Sequence, residues 1–199
     1  MTGLRERKKL DTRRALSDAA LELAFARGLD NVTRDDIAAA AGVSLRTFNN
    51  YFTNKYEAVA YRQVERMRLA LRHFRERPAD EPLWSAIAES VIAPLEAEGA
   101  ADVVPTDQQR AEIRKVLMAP EARIALSKQL FEDWVGAVAE RVGAQPAGDM
   151  YPRLVVGVIR AVGEAAMDAY TSVDPPTDYL GLLRRAFDDV AAGLPERRT

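Results

Sequence analysis

Ser44, Arg46, Thr47, Asn49, Asn50 and Tyr51 bring hydroxyl, guanidinium and amide groups together within eight residues that contain no acid. Placed on an α-helix at about 100° per residue, Leu45, Phe48 and Phe52 fall in one narrow arc. Arg46, Thr47, Asn50 and Tyr51 occupy the opposite half of the wheel, and Asn49 lies at the margin. A face of hydrogen-bonding groups without acids suits a polyanion. Its side chains also suit base edges, because an arginine can bond guanine bidentately for about 1–3 kcal/mol of discrimination. Other chemistries lack their residues. The chain has no cysteine and one histidine, His73, which excludes disulfides, thiolate or His-rich metal sites and cysteine nucleophiles. Neither a metal nor a cofactor is expected. A Ser/His/Asp site around His73 would have no nucleophile elbow, and no Gly-rich phosphate loop is present. Asp35 and Asp36 fit the first turn of a helix better than an acid–base pair. The chain is not expected to be an enzyme.

The elements that must position these groups are helical. Of 199 residues, 48% are apolar, 29% charged and only 7% aromatic, a globular composition with a helix-forming bias. Leu16, Ala20, Leu23 and Ala24 give one apolar face over 11–27, and Gly28 fits its stop. Thr33 and Asp36 stand three apart as a capping box with Asp in place of Glu. The helix they open runs through Ile37 and Ala38 to Gly42, which suits a left-handed turn. Ser44 then caps Leu45 to Phe52, and Asn54 caps a long segment from Tyr56 to Glu76. Further helices are expected at 83–98, 107–118, 121–142, 151–172 and 177–192, separated by Gly and Pro breakers. No strand pattern appears. No run of apolar residues is long enough to span a membrane and the first twenty residues have no apolar signal core, so neither a membrane partner nor export is expected and the cytoplasm is the default location.

The net charge of −2 hides an uneven distribution. Residues 1–55 hold ten Lys/Arg against seven acids, net +3, while the remaining 144 hold 18 against 23, net −5. Six of those bases lie in the first fourteen residues, an arm of the kind that meets phosphates. A helix, a turn containing glycine and a second helix with an exposed polar face make a helix-turn-helix, which sets its second helix in the major groove. The same hairpin geometry also occurs as a plain packing unit.

Thr33, Ile37-Ala38, Ala41-Gly42-Val43-Ser44, Thr47-Phe48, Tyr51-Phe52 and Lys55 together resemble, in register, the DNA-binding region of the TetR family of bacterial repressors. The resemblance covers about the first quarter of the chain. It implies an all-α fold with a three-helix helix-turn-helix domain over 1–55, and a long helix leading into a ligand-binding and dimerisation domain over 56–199. It further implies a homodimer on double-stranded operator DNA, regulated by a small-molecule effector. Roles carried over by motif position put Thr33, Ser44, Tyr51 and Lys55 on phosphates, and Arg46, Thr47 and Asn50 on base edges. Asn49 stands where the family usually has an aromatic that contacts phosphate.

In the C-terminal region, Gly157, Ala161, Ala165 and Ala169 form a strip of small side chains for close helix approach. Together with Leu180, Leu183, Phe187 and Val190 it suggests a four-helix bundle across a twofold axis. Candidates to line an effector pocket are Met118, Phe131, Trp134, Val138, Met167 and Tyr170, with Arg160, Glu164 or Asp168 as polar orienters. The Arg46-Thr47-Phe48 run with Tyr51-Phe52 is similar to a TetR subgroup described as binding acyl-CoA-like ligands, which suggests a long apolar effector. The alternative is a carrier or enzyme for an apolar small molecule that does not bind DNA.

Overall fold

The computed structural model describes residues 3–99, 106–118, 128–145, 148–172 and 178–196, the side chains of 116–118 and 128 excepted. Nine α-helices and no strand occur among the described residues, so the fold is all-α. The first helix, α1, spans Leu4–Arg27 and begins seven residues before the apolar periodicity does. From Leu4 the basic arm is made of good helix formers, with no Gly or Pro between Leu4 and Gly28, so the helix extends through it. Gly28 stops it at φ +80°, its N–H bonding the Ala24 carbonyl at 2.9 Å. A 3-10 turn at Leu29–Asn31 leads into α2, Arg34–Ala40.

The turn between α2 and α3, Leu45–Tyr51, is built around Gly42 at φ +67°. Gly42 N–H bonds the Ala39 carbonyl at 3.0 Å and Val43 N–H bonds Ala38 at 2.9 Å, the paired bonds of a Schellman stop. Phe52 caps the end of α3 instead of continuing it. The long helix α4 spans Lys55–Glu76, with Asn54 Oδ1 accepting from Glu57 N–H at 2.9 Å. There follow α5, Leu83–Ala97, α6, Asp107–Met118, α7, Lys128–Val142, α8, Tyr151–Ser172, and α9, Tyr179–Ala191. The expected start of α7 at 121 falls outside the described residues. No helix among the described residues is long and apolar enough to cross a membrane.

By their contacts the described residues form two compact units, divided within α4 after Glu65, and α6 belongs with the first. The first unit closes over Leu16, Ala20, Leu29, Ile37, Phe48 and Phe52, each at most 1% exposed. The rings of Phe48 and Phe52 lie 5.9 Å apart and those of Phe52 and Tyr61 5.6 Å apart. Two buried polar groups are satisfied there: Ser17 donates to the Ala58 carbonyl at 2.7 Å, and Glu112 of α6 accepts from the Leu29 N–H at 2.8 Å.

In the second unit α9 packs on α5 and α8, and α7 on α8. Trp134 is buried against Phe74, with ring centroids 5.5 Å apart, and its indole N–H donates to the Met67 carbonyl at 3.3 Å. Leu180, Leu183 and Phe187 are buried inside the same subunit. That corrects the expectation that they face a second copy: α9 turns its apolar side onto α5 and α8. The small-residue strip behaves differently, for Gly157, Ala161 and Ala165 are exposed, as are the neighbouring Tyr151 and Leu154.

Phe48 is fully buried, so Phe48→Ala should destabilise the first unit by about 3–5 kcal/mol through lost transfer energy and a cavity. Phe48→Leu, which keeps most of the volume, should cost well under half of that. Chemical denaturation followed by circular dichroism checks the order.

Candidate nucleic-acid interface

Seven residues of helix are too few to persist alone in water, so α3 depends on its caps and its buried face. Ser44 Oγ accepts from Thr47 N–H at 3.1 Å and meets the Thr47 hydroxyl at 3.0 Å. Phe48 is buried, while Arg46, Asn49 and Asn50 are exposed, and Thr47 and Tyr51 are half-buried. Tyr51 leans its ring on the core cluster. The structure thus brings Arg46, Thr47, Asn49 and Asn50 onto one short outward surface.

Two of the expected phosphate ligands are engaged elsewhere. Thr33 Oγ1 accepts from Asp36 N–H at 3.1 Å and donates to Asp36 Oδ2 at 2.7 Å, while that same oxygen accepts from Thr33 N–H at 2.9 Å. The hydroxyl is therefore occupied as both donor and acceptor in the capping box. The Lys55 ammonium donates to the carbonyls of Leu29 at 2.7 Å, Asp30 at 3.3 Å and Val32 at 3.0 Å. An ammonium has three N–H donors, so Lys55 ties the start of α4 to the 3-10 turn, with no donor left for a phosphate.

Several cations of the first unit are ion-paired. Arg27 pairs with Asp36 at 2.9 Å, Arg14 with Glu65 at 2.7 Å, Arg62 with Asp18 at 3.2 Å, and Arg13 with Glu57 at 3.9 Å. Arg13 also lies over the rings of Phe52 and Tyr61, at 5.2 and 4.7 Å. On α2 and α3 neither Arg34 nor Arg46 has an ion pair among the described residues. Arg34 Nη1 instead donates to Asn49 Oδ1 at 3.2 Å. The sequence reading missed Arg34, since nothing in spacing relates one helix's first residue to a side chain 15 positions on. No group of three or more His, Cys, Asp or Glu that could hold a metal occurs among the described residues.

Trp134 packs on Phe74 of α4, whereas Tyr170 packs on Tyr179 of α9 with centroids 5.3 Å apart. Val138 is buried, and Phe131 and Met167 are half-buried. The Met118 side chain lies outside the described residues. The polar orienters are accounted for in part: Arg160 pairs with Glu164 at 2.8 Å on the exposed side of α8.

The geometry is a capped short helix with a buried aromatic side and an acid-free outward side. Residues 16–60 match the family model for bacterial regulatory proteins of the tetR family, and residues 81–195 match the model of the MftR C-terminal domain. TcmR of Streptomyces glaucescens, an HTH-type transcriptional regulator, is 32% identical over 90% of this chain and 82% of its own. The chain belongs to the TetR family. Another relative, from Mycobacterium tuberculosis and named as the mycofactocin biosynthesis transcriptional regulator MftR, is 28% identical over 94% of this chain and 93% of its own. Among solved structures, the fatty acid degradation regulator FadR of Bacillus halodurans has the same fold, with a TM-score of 0.60 at 18% identity, covering 94% of this chain and 97% of that one. FadR of Thermus thermophilus, solved in complex with lauroyl-CoA, gives 0.57 at 19% with the same coverage. This TetR-family chain is a DNA-binding transcriptional regulator, and α2 and α3 are its helix-turn-helix.

The capping box makes the helix-turn-helix sensitive to acid. Hydrogen bonds first from the Thr33 hydroxyl and then from its backbone N–H, with Arg27 beside them, hold the Asp36 carboxyl at about 2, below its ordinary 3.8. A lowered carboxyl pKa stabilises the fold above the unfolded value and loses that contribution as pH falls through the folded one. The difference in melting temperature between wild type and Asp36→Asn should therefore be full at pH 7 and close progressively between about pH 4 and pH 2. Thermal melts across that range read it directly.

Proposed function

We propose that the chain is a homodimeric repressor whose two α3 helices read operator half-sites, and which a small apolar effector releases. The observation that carries this reading is the sidedness of α3: Phe48 is fully buried while Arg46, Asn49 and Asn50 stand in solvent. Arg46 and Asn50 are the base readers, because a guanidinium fits guanine and a carboxamide fits adenine. Thr47 joins them. Ser44 and Tyr51 contact the backbone from the two ends of the helix. Residues 1–55 bind DNA, and 56–199 take the effector and the second copy. Such a protein works where the chromosome is, in the cytoplasm.

The second copy is assigned to the exposed strip of α8. Gly157, Ala161 and Ala165 let a partner helix approach closely, and Leu154 beside them is 53% exposed. Half-sites in the major groove must be spaced by about 34 Å or a multiple, so the dimer sets what can be read. The effector is assigned to residues 56–199, with Met118, Phe131, Trp134, Val138, Met167 and Tyr170 as the candidates to line its site. An acyl-CoA is the first to try, on the strength of the lauroyl-CoA bound by the Thermus FadR of like fold. Release follows only from differential affinity for the DNA-competent and incompetent states. The transmitter is α4, which the two units share, and a small tilt of it would change the spacing of the two α3 helices.

With DNA fragments selected by the protein from its own genome, Arg46→Ala should lose about 1–3 kcal/mol and relax preference at one position of each half-site. Unchanged strength and unchanged preference in fluorescence anisotropy would show that α3 does not read the bases. Ala161→Arg should give a monomer in sedimentation velocity with helical content intact, and operator binding should fall with the dimer.

A further inference from the structure

Asn49 lies on the outward surface of α3. Its Oδ1 is bonded by Arg34 Nη1 at 3.2 Å, across the helix-turn-helix from the first residue of α2. Both residues are exposed. The acids nearest in sequence do not hold Arg34: Asp36 is engaged by Thr33 and by Arg27 at 2.9 Å, and Asp35 is turned about 100° around the helix. A guanidinium has five N–H donors in a fixed planar fork. One bond to an amide oxygen leaves four of them, and the full charge, facing solvent.

We propose that Arg34, aimed by Asn49, is a phosphate contact of the operator-bound protein. This rests on the operator-binding reading above and deepens it. The chemistry is particular to the pair. A neutral carboxamide orients the guanidinium without neutralising it, which an Asp or Glu at 49 would do. The flat fork then meets two phosphate oxygens bidentately. Lys55 and Thr33 are engaged in the fold, and Arg34 and Arg46 are the cations of these two helices without an ion pair among the described residues. A backbone contact carries no base preference, so Arg34 contributes affinity and register while Arg46 contributes discrimination. Asn49 is a positioning residue.

The test uses the full chain, the same selected operator fragments and a potassium chloride series. Arg34→Ala should weaken binding about 10-fold, equally on all operator variants, and should lower the slope of log K against log salt by about one for each half-site contact. Asn49→Ala should weaken binding less and add little to Arg34→Ala, the coupling expected of a contacting pair. Asn49→Asp should be worse than Asn49→Ala, because its carboxylate would pair with Arg34 and repel phosphate. A purely structural contact predicts the reverse, since the same ion pair would raise the melting temperature and leave DNA binding unchanged. Neutral methylphosphonates scanned through the operator should weaken wild type at one backbone position per half-site where they leave Arg34→Ala indifferent. Arg34→Gln, with its helical content checked by circular dichroism, repeats the measurement with a bulkier neutral side chain. Wild-type affinity and slope in both variants, or a loss confined to particular base sequences, overturns the phosphate contact while operator binding stands. Failure of the wild type to bind any duplex overturns both.

Discussion

Burial of one aromatic side of α3 is the constraint on which the rest depends. The helix is seven residues long, and isolated helices below about 12–15 residues are marginal in water. Its persistence comes from Phe48 and the adjoining Phe52, at 0% and 1% exposure, and from the Ser44 and Gly42 stops that fix where it begins. The same burial sets its rotation, for a helix pinned on one arc presents the opposite arc. Arg46 and Asn50 face outward because Phe48 faces inward, with no separate interaction needed to aim them. A nucleic-acid reader gains from this, since base contacts are lost with small errors in side-chain placement.

Electrostatics then separates the cations that build the unit from those left for a ligand. Arg13, Arg14, Arg27 and Arg62 each have a carboxylate within 4 Å, and such pairs near the surface contribute little individually. Their larger effect is on the remaining charge: a paired arginine offers a weak field to a polyanion, whereas Arg34 and Arg46 keep theirs. The basic excess of the first 55 residues overstates the charge that DNA can meet, and the location of the unpaired cations says more than the sum.

The local part of this design was legible from the sequence. Thr33 with Asp36, Ser44, Asn54, Gly28 and Gly42 all act within five residues of themselves, so their roles follow from residue type and spacing. The apolar arc of α3 was legible for the same reason. What could not be read were the links between elements: Lys55 to Leu29 across 26 residues, Arg34 to Asn49 across 15, and Glu112 to Leu29 across 83. These decide whether a polar group faces a ligand or its own backbone. Motif position cannot show that three carbonyls converge on the Lys55 ammonium. The apolar face of α9 misled in a related way, since periodicity says that Leu180, Leu183 and Phe187 share a side and not which surface covers it.

Leu29 is where these long-range links meet. It is buried at 1%, its N–H given to the Glu112 carboxylate at 2.8 Å and its carbonyl to the Lys55 ammonium at 2.7 Å. The signs match the peptide dipoles on each side, anion at the N–H and cation at the C=O, and charged partners make such bonds stronger than neutral ones. Glu112 is itself balanced by Lys115 at 2.9 Å, which also reaches Asp30 at 3.2 Å. Gly28 is required here by its φ of +80°, which disfavours a side chain. Removing Glu112 would leave the buried Leu29 N–H unsatisfied, at about 1–3 kcal/mol, whereas the Leu29 carbonyl also accepts from the Val32 N–H at 3.2 Å. The end of α1, the start of α4 and the middle of α6 are therefore fastened to one three-residue turn. Any displacement of α6 must either carry that turn and the helices fixed to it, or break a buried charged hydrogen bond.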